Sequence, residues 1–346
     1  VTDVLSRRIR YPFETPPAFG EAIEVADGVL WIRLPLPMAL DHVNVFALDD
    51  GDGWTLIDTG IGTTRGKAAM EHALSHVLAG KPVRRVLVTH HHPDHIGLAG
   101  WFMGQGAELW TTRTAYLMAR MLGLDVQEIP SDEAMAFYAA AGASQDVLAK
   151  RRSERPFNFA DVIAPLPLGF HRIEDGDVLT AGGRNWMVRV GDGHAPEHAT
   201  LWSEDDDLIL GGDQLLPSIS PNLGVYPTEP EADPVGDWLR SCRAFQPLAR
   251  EAHFVLPGHK LPFTGLPTRL DQMIENHVSA LDRLEAFLAK PAAAGDCFLP
   301  IFKRDLGEAE YGLGLVEAFA HCQHLWKTGR VTRERRFDGA WVYAQK

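Results

Sequence analysis

The stretch THHHPDH, residues 89–95, sets four histidines and one aspartate within seven residues. It closes RRVLVTH (84–90), a β-branched run that reads as a strand. Alternation at a strand end puts His90 and His92 on one side and turns His91 to the other. Pro93 turns the chain, and Asp94 and His95 follow it. Imidazole is the commonest zinc ligand, so His-x-His-x-Asp-His offers two ligands to one metal and two to a neighbour. Neither set is complete, and the missing ligands must come from further along the chain.

Three later runs supply them. WMVRVG (186–191) leads into a Gly-rich turn carrying His194. LILGGD (208–213) ends on Asp213, and FVLPGH (254–259) ends on His259. Each candidate follows an apolar strand run, so all can converge on one rim. Asp58, in LIDTG (56–60), also follows a strand run. It is expected to brace the ligand loop by hydrogen bonds rather than touch metal. His91 reads as structural or solvated. His198 is four residues beyond His194, which already fills the ligand role, so His198 reads first as an ordinary residue and otherwise as a support of the ligands or a substrate contact. His72, His76, His171, His253, His277, His321 and His324 lie in ordinary contexts.

Taken along the chain, Asp58, the THHHPDH block, His194, Asp213 and His259 are five motifs that resemble, in this order, the metallo-β-lactamase superfamily over roughly residues 21–265. The C-terminal extension resembles the lactamase-β-2-like subgroup. The resemblance implies an α/β fold, an αβ/βα four-layer sandwich with a dinuclear site at one edge. It implies that His90, His92 and His194 hold the first metal, that Asp94, His95 and His259 hold the second, and that Asp213 bridges them. Two divalent cations are the expected cofactors: zinc, with manganese or iron as the other metals such donors suit. Diiron oxygen-reducing relatives carry Glu at the position of His92, which favours hydrolysis over redox chemistry here. True β-lactamases of the superfamily carry Cys or a non-ligand at the position of Asp213, so β-lactam hydrolysis is not the leading expectation.

Strand runs also appear at 21–34 around an Asp27-Gly28 turn, and at 43–48, 54–58, 107–111, 199–203 and 207–211. A helix is expected near 64–79. The grouping of strands predicts a two-sheet sandwich flanked by helices. Residues 1–265 read as the metallo-β-lactamase-like domain, interrupted at about 113–170 by helices (113–122 and 131–151). That insertion is read either as a lid or substrate wall or as plain helical packing. From 266 to 346 the chain reads as a helical, winged-helix-like region, with helices at 268–290 and about 308–327 and a closing hairpin around Asp338-Gly339.

The chain has 346 residues, 45% hydrophobic, and a formal net charge of −13. That balance argues against a general phosphate-backbone binder. Three cysteines without short spacing give no disulfide framework and fit a reducing, cytoplasmic setting. The N-terminal VTDVLSRRIRYPFETPP reads as an extended Pro-rich arm rather than a signal peptide, and no membrane helix is expected.

The function expected is a dinuclear metal-dependent hydrolase. It attacks an ester, thioester or lactone carbonyl with a metal-bridging hydroxide, and Asp94 helps to move the proton. His42, Asn44, Asn222 and Tyr226 are the candidate substrate-facing residues, and a small acyl-type molecule is the expected partner. The alternative is a metal-dependent endoribonuclease acting on single-stranded RNA. The C-terminal region is assigned to packing or homodimerisation ahead of nucleic-acid binding.

Overall fold

A computed structural model describes residues 8–346, so the first seven residues of the N-terminal arm lie outside the described residues. The chain divides into two compact units. The first comprises residues through Val126, Asn158–Pro221 and Leu248–Arg269; the second comprises Gln127–Phe157, Asn222–Pro247 and Leu270–Lys346.

Two sheets build the first unit. One has seven strands in the order β1 (Ala22–Ala26), β2 (Val29–Pro35), β3 (His42–Asp49), β4 (Trp54–Ile57), β5 (Val83–Leu87), β6 (Glu108–Thr111) and β7 (His171–Arg172). The other comprises β8 (Val178–Ala181), β9 (Arg184–Gly191), β10 (His198–Ser203), β11 (Leu208–Gly212) and β12 (Phe254–Pro257), with the spatial order running from β12 back to β8. The expected Asp27-Gly28 turn joins β1 to β2, with Gly28 at φ 67°. Alternation divides the core. Trp31, Phe46 and Leu48 face inward with Trp186, Val188 and Leu201 of the second sheet. The opposite face of the first sheet, with Ile32, Leu34, Val43 and Val45, packs on Met70 and Ala73 of α1 (Thr64–His76). Both faces of β2 and β3 are therefore covered, which is why these strands read as nearly continuous apolar runs.

The direction of the strands positions the functional loops. β4 runs parallel to β5, and β11 runs parallel to β12. β9 and β11 each pair antiparallel with β10, so they share one direction. Within each sheet, the loops leaving these C-terminal ends emerge at the same edge. β3 and β10 run the other way and begin at that edge with His42 and His198.

Three more helices complete the unit: α2 (Pro93–Ile96), α3 (Ala99–Met103) and α4 (Arg113–Leu124). Of the N-terminal arm, Arg10 pairs with Thr264 by two backbone hydrogen bonds, 2.9 and 3.2 Å.

The second unit contains α5 (Asp132–Ala140), α6 (Gln145–Ser153), α7 (Pro234–Phe245), most of α8 (Leu266–Phe287), α9 (Phe298–Phe302) and α10 (Glu308–Lys327). A small sheet, β13 (Ala292–Ala293), β14 (Val331–Arg335) and β15 (Trp341–Gln345), adds the closing hairpin. The single run expected at 131–151 is two helices, because Gly142 takes φ 86° and Ser144 starts a new one by accepting from the Val147 N–H. α7 was not foreseen, although Asp233 caps it and Pro234 opens it. No helix among the described residues is long and apolar enough to cross a membrane.

Candidate metal centre

The loop after β5 is held by a carboxylate. β5 ends at Leu87, three residues earlier than the sequence suggests. His90 and His92 therefore sit in a loop, and strand alternation is not what aims them. The Asp58 carboxylate accepts from the Thr89 backbone N–H at 2.8 Å and from its hydroxyl at 2.9 Å. It also sits 2.7 Å from His95 Nδ1. A carboxylate there requires His95 Nδ1 to carry the proton and leaves the Nε2 lone pair free to ligate. Thr89 Oγ1 spends its proton on Asp58 and so accepts from His90 Nδ1 at 3.0 Å. Asp58 thereby sets the tautomer of two histidines, one directly and one through Thr89. It does so from φ 62°, and Glu197 and Lys260, beside the other ligand loops, also have positive φ. Backbone strain of this kind gathers at functional sites.

His90, His92 and His194 form one cluster. His90 Nε2 and His194 Nε2 each lie 3.0 Å from His92 Nδ1. Burial, the largest effect, and neighbouring imidazoles hold His90 and His92 well below the usual histidine range, so these rings are neutral. Neutral imidazole is the form that ligates a metal.

Asp94, His95 and His259 form the second cluster. His259 Nδ1 donates to the His42 carbonyl at 2.7 Å, which aims Nε2 at Asp94 Oδ2 (3.3 Å) and Asp213 Oδ2 (3.2 Å). His95 Nε2 lies 3.5 Å from Asp213 Oδ1 and 3.6 Å from Asp94 Oδ2. Asp213 Oδ2 also lies 3.4 Å from His194 Nε2, so one carboxylate faces both clusters. Burial opposes ionisation of Asp213, but His259 and His95 beside it overcome that and hold the carboxyl well below its usual range. Asp94 is lowered in the same way, with His95 and His259 outweighing burial. In return His259 is pushed up to about 10, with Asp213 outweighing burial.

The donor atoms fit a metal. His95 Nε2 and Asp213 Oδ1 are buried and have no hydrogen-bond partner among the described residues. A buried polar atom left unmade is costly, and a cation between them removes that cost. The backbone is cut to the same purpose. A Cβ on Gly258 would stand 2.3 Å from Asp213 Oδ1 and 2.9 Å from His95 Cε1. The Asp213 N–H donates to His198 Nε2 at 3.1 Å, and the His198 ring stacks on His90 at 4.4 Å. His198 is thus a support of the site, the lesser of the readings the sequence left for it. Its signal was its place as the first residue of a strand returning to the ligand edge.

The structure brings together all seven expected ligands: His90, His92, Asp94, His95, His194, Asp213 and His259. His91 belongs to none of these clusters and stacks on Phe159 instead. Asn44 points into the fold rather than towards solvent. It is buried, accepts from Trp31 Nε1 at 2.8 Å and donates to the carbonyls of Pro257 and Lys260, so it braces the His259 loop. His42 accepts from the Lys260 N–H at 2.9 Å and contacts Asp41 at 2.7 Å, and it lines a pocket of about 280 Å³ with Arg33 and Lys260. Asn222 and Tyr226 belong to the second unit. There the Tyr226 hydroxyl donates to Asn222, and the Asn222 amide donates to the Leu313 carbonyl and to Glu317.

Comparison with known proteins agrees with this geometry. Residues 38–292 match the model of the metallo-beta-lactamase superfamily, and residues 281–346 match that of a metallo-beta-lactamase-like C-terminal domain. A probable metallo-hydrolase of Bacillus subtilis, YqjP, is 26% identical over 334 residues, covering 92% of this chain and 97% of its own. A beta-lactamase domain protein from Burkholderia ambifaria is 36% identical with a TM-score of 0.87, over 99% of each chain. A metallo-beta-lactamase family protein from Thermus thermophilus is 26% identical with a TM-score of 0.77, over 93% of this chain and all of its own. With two sheets, strand-end loops and two clusters of ligand-type side chains sharing Asp213, the chain belongs to the metallo-beta-lactamase superfamily and is a metal-dependent hydrolase.

Proposed function

We propose that this hydrolase cleaves an ester, thioester or lactone, using two divalent cations, zinc by preference, with manganese or iron also suited to the donors. His90, His92 and His194 would hold one ion, Asp94, His95 and His259 the other, and Asp213 would serve both. The observation that carries the reading is the placement of Asp213, its two oxygens 3.2–3.5 Å from ligand nitrogens of both clusters. Bound there, divalent cations polarise a carbonyl and bring the acidity of water towards neutrality.

The chain's own groups do the rest. Asp94 has the most open carboxylate of the centre, its side chain 18% exposed against 7% for Asp213. It can take a proton from attacking water and pass it to the leaving oxygen or sulfur. The Asp58, Thr89 and His42 contacts hold the ligand rings in ligating tautomers. The pocket beside His42 can seat the part of a small substrate that does not react, with Arg33 and Lys260 in its wall. We carry the winged-helix-like reading of the C-terminal region as part of the proposal. α10 and the β14–β15 hairpin are compatible with it, and its role there is packing or homodimerisation.

A substrate panel tests the proposal. Zinc-loaded protein is offered thioesters, lactones, aryl esters, a β-lactam and labelled single-stranded RNA. Acyl hydrolysis lost in Asp94→Ala and His90→Ala is the expected result. Cleavage of RNA alone overturns the acyl assignment, and activity retained in both variants overturns the metal assignment.

A further inference from the structure

The second unit holds a group of ligand-type side chains that the hydrolytic proposal does not use. His277 lies on α8, and Glu317 and His321 lie on α10. One ligand atom from each comes within 4.8 Å of the others. The spacing Glu317-x-x-x-His321 is one helical turn, which sets both side chains on the same face of α10. His321 Nδ1 donates to the Glu317 carbonyl at 2.8 Å, so its Nε2 carries the lone pair. That Nε2 lies 3.3 Å from His277 Nδ1.

A direct hydrogen bond between the two imidazoles would account for that one distance, but not for the carboxylate beside it. Glu317 accepts from Asn222 Nδ2 at 2.8 Å and from the backbone of Leu223. Among the described residues no lysine or arginine neutralises it, and burial pushes it up to about 7. A carboxylate partly withdrawn from water without a countercharge carries a cost. Two imidazoles and one carboxylate are also a complete set of three protein donors for zinc. Ligands at about 2.0–2.1 Å from a tetrahedral ion stand about 3.3 Å apart, which is the separation of the two nitrogens.

We infer that His277, Glu317 and His321 form an additional site for a single divalent cation of the zinc class, clamping α8 to α10. The surroundings suit an ion. Trp238 packs edge-on to His277 with ring centroids 6.3 Å apart, and His277 and His321 are buried. Glu317 keeps a partial opening to solvent, which gives the ion a way in. A cation held by two helices stabilises their packing by mass action and is not required to touch substrate.

Zinc alone is the probe. The full chain carrying His90→Ala, His95→Ala and Asp213→Ala, which leaves each half of the first centre with only two of its donors, is dialysed against micromolar free zinc and its metal content measured. Glu317→Gln and His321→Gln are then each added. The triple variant is expected to hold one zinc and to melt several degrees higher with zinc than with a chelator. Either added substitution should remove both effects. A crystal of the zinc-loaded unmodified chain should show an anomalous peak between His277 and His321. A triple variant that binds no zinc, zinc that survives both added substitutions, or no peak at that position overturns the inference. The anomalous measurement needs no variant, so it decides the question even if a substituted chain fails to fold.

Discussion

Asp58→Asn separates the two halves of the proposed centre. Asparagine keeps the shape and tolerates positive φ, so the backbone at φ 62° adds no new strain. Its amide has only one stable orientation. The oxygen must stay towards the Thr89 N–H, now 2.8 Å from Oδ1, because an NH2 there would set donor against donor. The NH2 then faces His95 Nδ1, where Oδ2 stood at 2.7 Å. His95 must give up its Nδ1 proton and carry it on Nε2, the atom that faces Asp94 and Asp213. A protonated Nε2 cannot ligate. The Thr89 hydroxyl can still donate to the remaining oxygen, 3.1 Å away, so His90 keeps its tautomer. The loss should therefore fall on the Asp94–His95–His259 cluster. Removing a partner of a metal ligand typically costs about 10–100-fold in affinity, or about 1.4–2.7 kcal/mol. Competition titration of zinc against a chromophoric chelator measures it, in a His321→Gln background so that the second-unit group does not contribute. One binding step should weaken by that factor and the other should hold. Two unchanged steps, or equal losses in both, would refute the tautomer argument.

Gly258→Ala should cut kcat/KM by about 100-fold or more, since its Cβ would collide with Asp213 Oδ1 and a displacement of about 1 Å costs on that order; steady-state kinetics with metal content measured in parallel checks it. Asn44→Ala should lower stability by about 2–3 kcal/mol in denaturant unfolding, because it leaves the buried Trp31 Nε1 without its acceptor and frees the His259 loop. His253 gives a pH test. Burial, with Arg250 beside it, lowers its folded pKa to about 4 from 6.5, so its contribution is present above pH 6.5 and lost as pH falls towards 4. At pH 5 the loss is about 2 kcal/mol. His253→Phe should therefore narrow the gap between unfolding free energies at pH 7.5 and pH 5 by about that amount, and an unchanged gap would sink the assignment.

The candidate ligand set was legible because the fold places it by a repeated local rule. Each ligand loop follows a run of apolar, β-forming residues, and the strands concerned run the same way within their sheets. A reader of sequence sees the runs and the residues that stop them. The supports are harder to see, because they act from strand beginnings or from backbone atoms. His198 opens β10, and the part of His42 that holds His259 is its carbonyl, which no residue type announces. Asn44 looks like a polar residue near a site, yet its hydrogen bonds all turn inward, and only the pairing of β3 with the Gly258 loop shows this. The division into two units was the least legible feature. Residues 127–157 and 222–247 join 270–346 across long separations, and nothing local marks those junctions. The same distance hides His277 from Glu317 and His321. Read along the chain they are three ordinary residues on two helices, and only packing that brings α8 and α10 together makes them a donor set. Local grammar therefore reports a site whose ligands sit on strand ends that the sheets align. A site assembled by helix packing leaves no such trace, and that is where structure adds most to sequence here.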